Sequence, residues 1–118
     1  MKPIIIAEDN EQTRKIFVSI IERSSKTKVD AVDNGEDLVS KVREGDYSII
    51  FTDNQMPIMY GLTAIKEIRK FNSDIPIYMI SGAELEKEAK EAGATDYIDK
   101  GDMNLSDLST VVEKYKKI

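Results

Sequence analysis

Five short apolar runs, each followed by a stretch with helical periodicity, constrain this chain more than any other feature. The first, residues 3–7 (PIIIA), is apolar throughout, which suits a strand covered on both faces. Residues 27–32 (TKVDAV) alternate instead, which places that strand at an edge. Residues 47–52 (YSIIFT), 75–80 (IPIYMI) and 95–99 (TDYID) complete the set. Pro76 lacks an N–H and so belongs among the first residues of its strand.

The intervening segments repeat on a helical period. Residues 11–24 place Ile16, Phe17, Ile20 and Ile21 inward behind an Asn10 cap. Residues 36–45 do the same with Leu38, Val39 and Val42, after an Asn34-Gly35 turn and before a closing Gly45. Residues 61–71 put Leu62, Ile65 and Ile68 on one face, and residues 84–93 form a highly charged helix ending at Gly93. A final helix, capped by Asn104 or Ser106, carries Leu108, Val111, Val112 and Tyr115.

Strands alternating with helices imply a parallel sheet covered on both faces. Right-handed crossovers leave few topologies, and the common one for five strands is the flavodoxin-like order 2-1-3-4-5. The expected fold is therefore a doubly wound (βα)5 α/β domain. With no linker or repeat in 118 residues, one domain over 1–118 with no output domain is expected. Ligands in such sheets bind beyond the carboxyl ends of the strands, at the switch point between the first and third.

Those ends share a chemistry. Strand one runs into Glu8-Asp9, strand three into Asp53, strand four into Ser81-Gly82, and strand five into Asp99-Lys100. Three carboxylates brought together raise one another's pKa unless a cation compensates. The chain has no histidine and no cysteine, so a metal here must be hard and bound by oxygen. Mg²⁺ is the natural choice, with Mn²⁺ also admissible. Carboxylate, cation, hydroxyl and ammonium together make up the equipment of phosphoryl transfer, with Asp53 placed to accept the group. A net charge of −5 opposes direct nucleic-acid binding, and no apolar run approaches a membrane span. A cytoplasmic protein is expected.

The motifs "IIIAEDN", "IIFTDNQMPIMYG", "YMISGA" and "GATDYIDK" resemble those of the receiver domain of two-component response regulators, over essentially the whole chain. The resemblance implies that Asp53 accepts a phosphoryl group from a phosphohistidine on a histidine kinase or histidine phosphotransfer protein. It implies that Asp9 ligates Mg²⁺ directly and Glu8 largely through water, with Asp53 and the main-chain carbonyl of Gln55 completing the protein ligands. Ser81 would hydrogen-bond the phosphoryl group and Lys100 would pair with it. Tyr97, read from the residues alone as an amphipathic rim residue, becomes the aromatic that turns inward on activation. The face of helix four, strand five and helix five would then change for a downstream effector, and helix one, near residues 14–19, would meet the phosphodonor. No enzymatic activity is expected beyond phosphoryl uptake and slow self-dephosphorylation.

The chain departs from the family at two places. Tyr60 precedes Gly61 where Asp or Asn is usual. Gly101 follows Lys100 where a cis-proline is usual, so this peptide is expected to be trans or the loop differently folded. The sequence fits either a single-domain regulator or a receiver excised from a larger protein. Two other readings stand beside these. A haloacid-dehalogenase-like phosphohydrolase also forms an aspartyl phosphate, but it needs a second Asp where this chain has Gln55. A non-phosphorylated interaction module of the same fold would have no need of Glu8, Asp9, Asp53, Ser81 and Lys100 together.

Overall fold

The computed structural model describes residues 1–116. Its elements alternate as β1 (Ile4–Ala7), α1 (Glu11–Ser25), β2 (Val29–Val32), α2 (Gly35–Glu44), β3 (Ile49–Thr52), α3 (Gly61–Arg69), β4 (Ile77–Ser81), α4 (Glu86–Ala92), β5 (Asp96–Asp99) and α5 (Ser106–Lys116). All strand pairs are parallel and the order is β2-β1-β3-β4-β5, as the flavodoxin-like reading requires. The alternating strand β2 is an edge.

Successive side chains of a strand point to opposite faces, so each strand feeds two cores. Ile5, Ala7, Ile50, Ile77 and Met79 pack with Leu38, Val42, Ile65, Ile68 and Ala89 of α2, α3 and α4. Ile4, Ile6, Ile49, Phe51 and Ile80 pack with Phe17, Ile21, Leu108 and Val112 of α1 and α5. β1 and β3 are buried at every position, which explains their uninterrupted apolar sequences. Each fully buried isoleucine contributes roughly 1.5–3 kcal/mol, so these two strands anchor the sheet.

The register decides where the strands end. Ala7 lies opposite Thr52, and the Asp53 N–H donates to the Ala7 carbonyl at 2.9 Å. Glu8 and Asp53 therefore emerge side by side. Ser81 lies opposite Asp99, and the Lys100 N–H donates to the Ser81 carbonyl at 2.9 Å.

Several boundaries differ from the sequence reading. β4 starts at Ile77 rather than residue 75, because Pro76 has no N–H; its carbonyl accepts from Ile50. α4 starts at Glu86, two residues late, with no side-chain cap at Leu85. In α1, Phe17 and Ile21 are buried, but Ile16 is 49% exposed and Ile20 is half-buried, being one step off the buried stripe. At α5, Ser106 is the first helical residue, and the Asp107 carboxylate accepts the Asn104 N–H. Asn10 caps α1 as expected, accepting the Thr13 N–H at 2.9 Å. The described peptides are all trans, including Lys100–Gly101, whose loop closes when Gly101 N–H donates to the Asp99 carboxylate.

Candidate functional site

Four strand ends build the site. Glu8 is 2% exposed and held three ways. Its N–H donates to the Val32 carbonyl, its carboxylate accepts the Asn10 N–H at 3.1 Å, and its carbonyl accepts Arg14 Nη1 at 2.9 Å. Asp9 follows it and is exposed. Asp53 is 8% exposed, and its Oδ1 accepts the Asn54 N–H at 2.7 Å. Oxygens of Glu8, Asp9 and Asp53 all lie within 4.8 Å of one another, a cluster that could bind a metal ion.

Lys100 reaches this cluster from β5. Its ammonium donates to Glu8 Oε1 at 2.8 Å and to Asp53 Oδ2 at 2.9 Å. Burial acts to lower the pKa of this ammonium, but the two carboxylate hydrogen bonds outweigh it and the net shift is upward. Burial pushes the Glu8 carboxyl up, and the Asp53 charge adds to this, against the pull of Lys100. The sequence reading put like-charge repulsion first; at Glu8 desolvation is the larger cause.

The remaining expected residues sit at the same rim. Ser81 is 3% exposed; its hydroxyl accepts the Ala83 N–H at 3.2 Å and bonds no carboxylate among the described residues. Gln55 is exposed in the loop after Asp53, and among the described residues its carbonyl accepts no hydrogen bond. The Tyr97 hydroxyl reaches the carbonyls of Ser81, at 3.1 Å, and of Ala83. Tyr97 is thus tied to the β4–α4 loop, with its ring packed against the α2–α4 core.

Asn54 was missed by the sequence reading. It is 9% exposed, and its Oδ1 accepts the Leu62 N–H at 3.0 Å, capping α3 from eight residues upstream. The residue in the ordinary capping position, Tyr60, makes no such bond. No local spacing rule looks that far back. The Gly61 N–H also donates to the Asn54 carbonyl at 2.9 Å. A Cβ at Gly61 would fall 2.0 Å from the Asp53 carbonyl oxygen, so only glycine lets α3 close on the site.

Fold and site together define a doubly wound α/β domain whose switch point carries an acidic pocket that could bind a metal ion. A family model of the response regulator receiver domain matches residues 4–113. The chain is 32% identical over 102 residues to the chemotaxis protein CheY of Halobacterium salinarum, covering 84% of each protein. It is 34% identical over 122 residues to hybrid signal transduction histidine kinase G of Dictyostelium discoideum, covering 98% of this chain and 4% of the kinase. It spans 33% of a protein-glutamate methylesterase/protein-glutamine glutaminase of Archaeoglobus fulgidus, to which it is 32% identical over 94% of its own length. Among solved structures, the response regulator TrrA of Thermotoga maritima, in complex with Mg²⁺-BeF, aligns with a TM-score of 0.86 at 26% identity, over 98% of this chain and 99% of that one.

The chain therefore belongs to the response regulator receiver domain family of two-component signalling. The Glu8, Asp9 and Asp53 pocket fits that family's phosphorylation site. No helix among the described residues is long and apolar enough to cross a membrane.

Proposed function

We propose that this chain is a phosphoacceptor switch in a two-component or phosphorelay pathway, with Asp53 as the acceptor. The observation that carries the reading is the placement of the Asp53 carboxylate. It ends a fully buried strand, within 4.8 Å of two further carboxylate groups and 2.9 Å from an ammonium. A buried strand holds the nucleophile still, and the surrounding charges suit a group that arrives with several negative oxygens.

In the transfer, an Asp53 carboxylate oxygen forms a bond to phosphorus as the P–N bond of the donor phosphohistidine breaks. The imidazole leaves with that electron pair and takes up a proton. Glu8, Asp9, Asp53 and the Gln55 carbonyl would hold Mg²⁺, an assignment supported by an all-oxygen donor set in a chain without histidine or cysteine. Bound there, the ion supplies charge neutralisation for the carboxylates and the incoming phosphoryl oxygens. Lys100 exchanges its hydrogen bond to Asp53 for one to a phosphoryl oxygen, and Ser81 gives up the Ala83 N–H to donate to another.

Phosphorylation adds roughly −1.5 to −2 charges at one point. Movement of Ser81 draws the β4–α4 loop with it, and Tyr97 follows because its hydroxyl is bonded to that loop. The α4–β5–α5 face then presents a different surface to an effector protein. The donor is a histidine kinase or histidine phosphotransfer protein, and the setting is the cytoplasm. The chemistry assigned to the chain is uptake and slow loss of its own phosphoryl group; the esterase activity named for its relatives is not carried over.

The test is incubation with acetyl phosphate and Mg²⁺, followed by intact-mass measurement. The wild type gains one HPO₃ and Asp53→Asn gains none. A label on Asp53→Asn, or none on either protein, overturns the reading.

A further inference from the structure

The three carboxylates of the pocket are held in different ways. Glu8 Oε1 accepts Lys100 and its Oε2 accepts the Asn10 N–H. Asp53 Oδ1 accepts the Asn54 N–H and its Oδ2 accepts Lys100. The exposed Asp9 carboxylate accepts no hydrogen bond and joins no ion pair among the described residues. Its aim is therefore set by its backbone. That backbone is gripped from α1. Arg14 Nη1 donates to the Glu8 carbonyl at 2.9 Å and makes a longer bond, 3.5 Å, to the Asp9 carbonyl. No other donor reaches either carbonyl among the described residues. The Arg14 N–H donates to the Asn10 carbonyl at 2.8 Å, which anchors the arginine in the first turn of α1. The Cα of Asp9 lies between the two peptide planes that carry the gripped carbonyls. Fixing both planes fixes φ and ψ at Asp9, and so the direction of its Cα–Cβ bond. Only the side-chain torsions remain free. The guanidinium has no competing use: in a chain of net charge −5, the half-buried Arg14 pairs with no carboxylate among the described residues. An arginine that only solvated the helix would extend into water and keep its rotamer freedom.

We propose that Arg14 is a positioning residue for the metal, holding the Glu8–Asp9 backbone so that the Asp9 carboxylate faces the cation site before the ion arrives. The inference rests on the reading that Glu8, Asp9 and Asp53 hold Mg²⁺. Two effects of Arg14 on that ion oppose each other. A positive charge beside a cation site repels the cation, so on charge alone the loss of Arg14 would tighten Mg²⁺ binding. Loss of the grip does the reverse, because the Asp9 backbone must then be ordered at the moment of binding. Groups that orient metal ligands commonly carry about 10–100-fold of a site's affinity, whereas repulsion at a solvated rim is screened. The grip is therefore the larger effect. Lys100 and Arg14 thus act in opposite senses: Lys100 occupies carboxylate oxygens that the ion needs, and Arg14 bonds only carbonyls.

The experiment is isothermal titration with Mg²⁺, at a temperature where circular dichroism shows every variant folded. Arg14→Met weakens Mg²⁺ binding about tenfold or more. Arg14→Lys keeps the charge but replaces the planar fork by a single ammonium, so its affinity falls between those of wild type and Arg14→Met. Labelling of Arg14→Met by acetyl phosphate falls at limiting Mg²⁺ and returns to within about twofold of wild type at saturating Mg²⁺, because the guanidinium acts through Asp9 and not on the phosphoryl group. An unchanged Mg²⁺ affinity in Arg14→Met overturns the proposal, whatever its melting temperature, and leaves Arg14 a structural group. A tighter affinity overturns it in favour of simple repulsion. Arg14→Lys binding as tightly as wild type also overturns it, since the fork would then be dispensable. So does a labelling loss that saturating Mg²⁺ does not recover. A wild type that takes up no Mg²⁺ is a different failure, that of the metal assignment, and ends this proposal with it.

Discussion

Lys100 Nζ lies 2.9 Å from Asp53 Oδ2, joining residues 47 positions apart at the ends of β3 and β5. The same nitrogen donates to Glu8 Oε1 at 2.8 Å. The ammonium therefore occupies the position from which it balances the two most buried carboxylates of the pocket. A divalent cation bound to these oxygens competes with it.

That competition is measurable. Lys100→Met removes the internal counter-charge while keeping much of the side-chain length. Mg²⁺ binding to this variant tightens several-fold relative to wild type, read by isothermal titration, because the carboxylates no longer share their charge with an ammonium. Mg²⁺ also raises its melting temperature more than that of wild type, as ligand linkage requires. Equal or weaker binding would show that Lys100 does not oppose the cation.

Gly61→Ala tests the closeness of α3 to the site. The added Cβ meets the Asp53 carbonyl, which is backbone and cannot swing aside. The expected cost is on the order of 2–3 kcal/mol in urea unfolding, the upper part of the usual overpacking range. Phosphorylation by acetyl phosphate falls as well, because the displaced atom belongs to the proposed acceptor itself.

Asn54→Ala removes the distant cap of α3. The Leu62 N–H loses its side-chain acceptor, at an expected cost of about 1 kcal/mol. The Asn54 main-chain N–H to Asp53 is retained, so labelling of Asp53 persists in the variant. Native-state hydrogen exchange should locate the loss in the first turn of α3.

A pair far from the pocket sets part of the pH dependence. The Tyr47 hydroxyl donates to Asp30 Oδ2 at 2.5 Å and is the main cause holding that carboxyl below its ordinary range, against burial. Burial, then the bond to Asp30, pushes the Tyr47 pKa up to about 12. Asp30 is depressed in the fold, so its contribution is present above its unfolded pKa of about 3.9 and is lost as pH falls through the lower folded value. Tyr47 is raised, so its contribution is present below about 10 and is lost as pH rises towards the folded value. Tyr47→Phe is expected to lose about 1 kcal/mol at neutral pH and to flatten both limbs of the stability profile.

The layered fold was legible because its signals are local. Uninterrupted apolar runs such as residues 3–7 imply cover on both faces, and the helical period of residues 36–45 marks Leu38, Val39 and Val42 as inward; all three are buried. The alternation of residues 27–32 announced an edge strand, and β2 is one. The three pocket carboxylates were legible for the same reason: Glu8 and Asp53 directly follow strands whose ends the pattern marks, and Asp9 is next to Glu8. Ile16 was misplaced because a helical period defines a stripe, while its width depends on what packs against it.

Chain order and side-chain period thus determined the layers, the strand order and the rim on which Glu8, Asp9, Asp53, Ser81 and Lys100 would lie. Only the folded chain decided which of their atoms touch. The ammonium of Lys100 bridges Glu8 from 92 residues away, Asn54 caps a helix eight residues on, and Tyr97 fastens to the carbonyls of Ser81 and Ala83. It also decided that Ile58 would hold a positive φ. Periodicity records which face of an element is buried, a property of neighbours along the chain. Contacts between elements depend on strand register and loop closure, which become definite only when all five strands are paired.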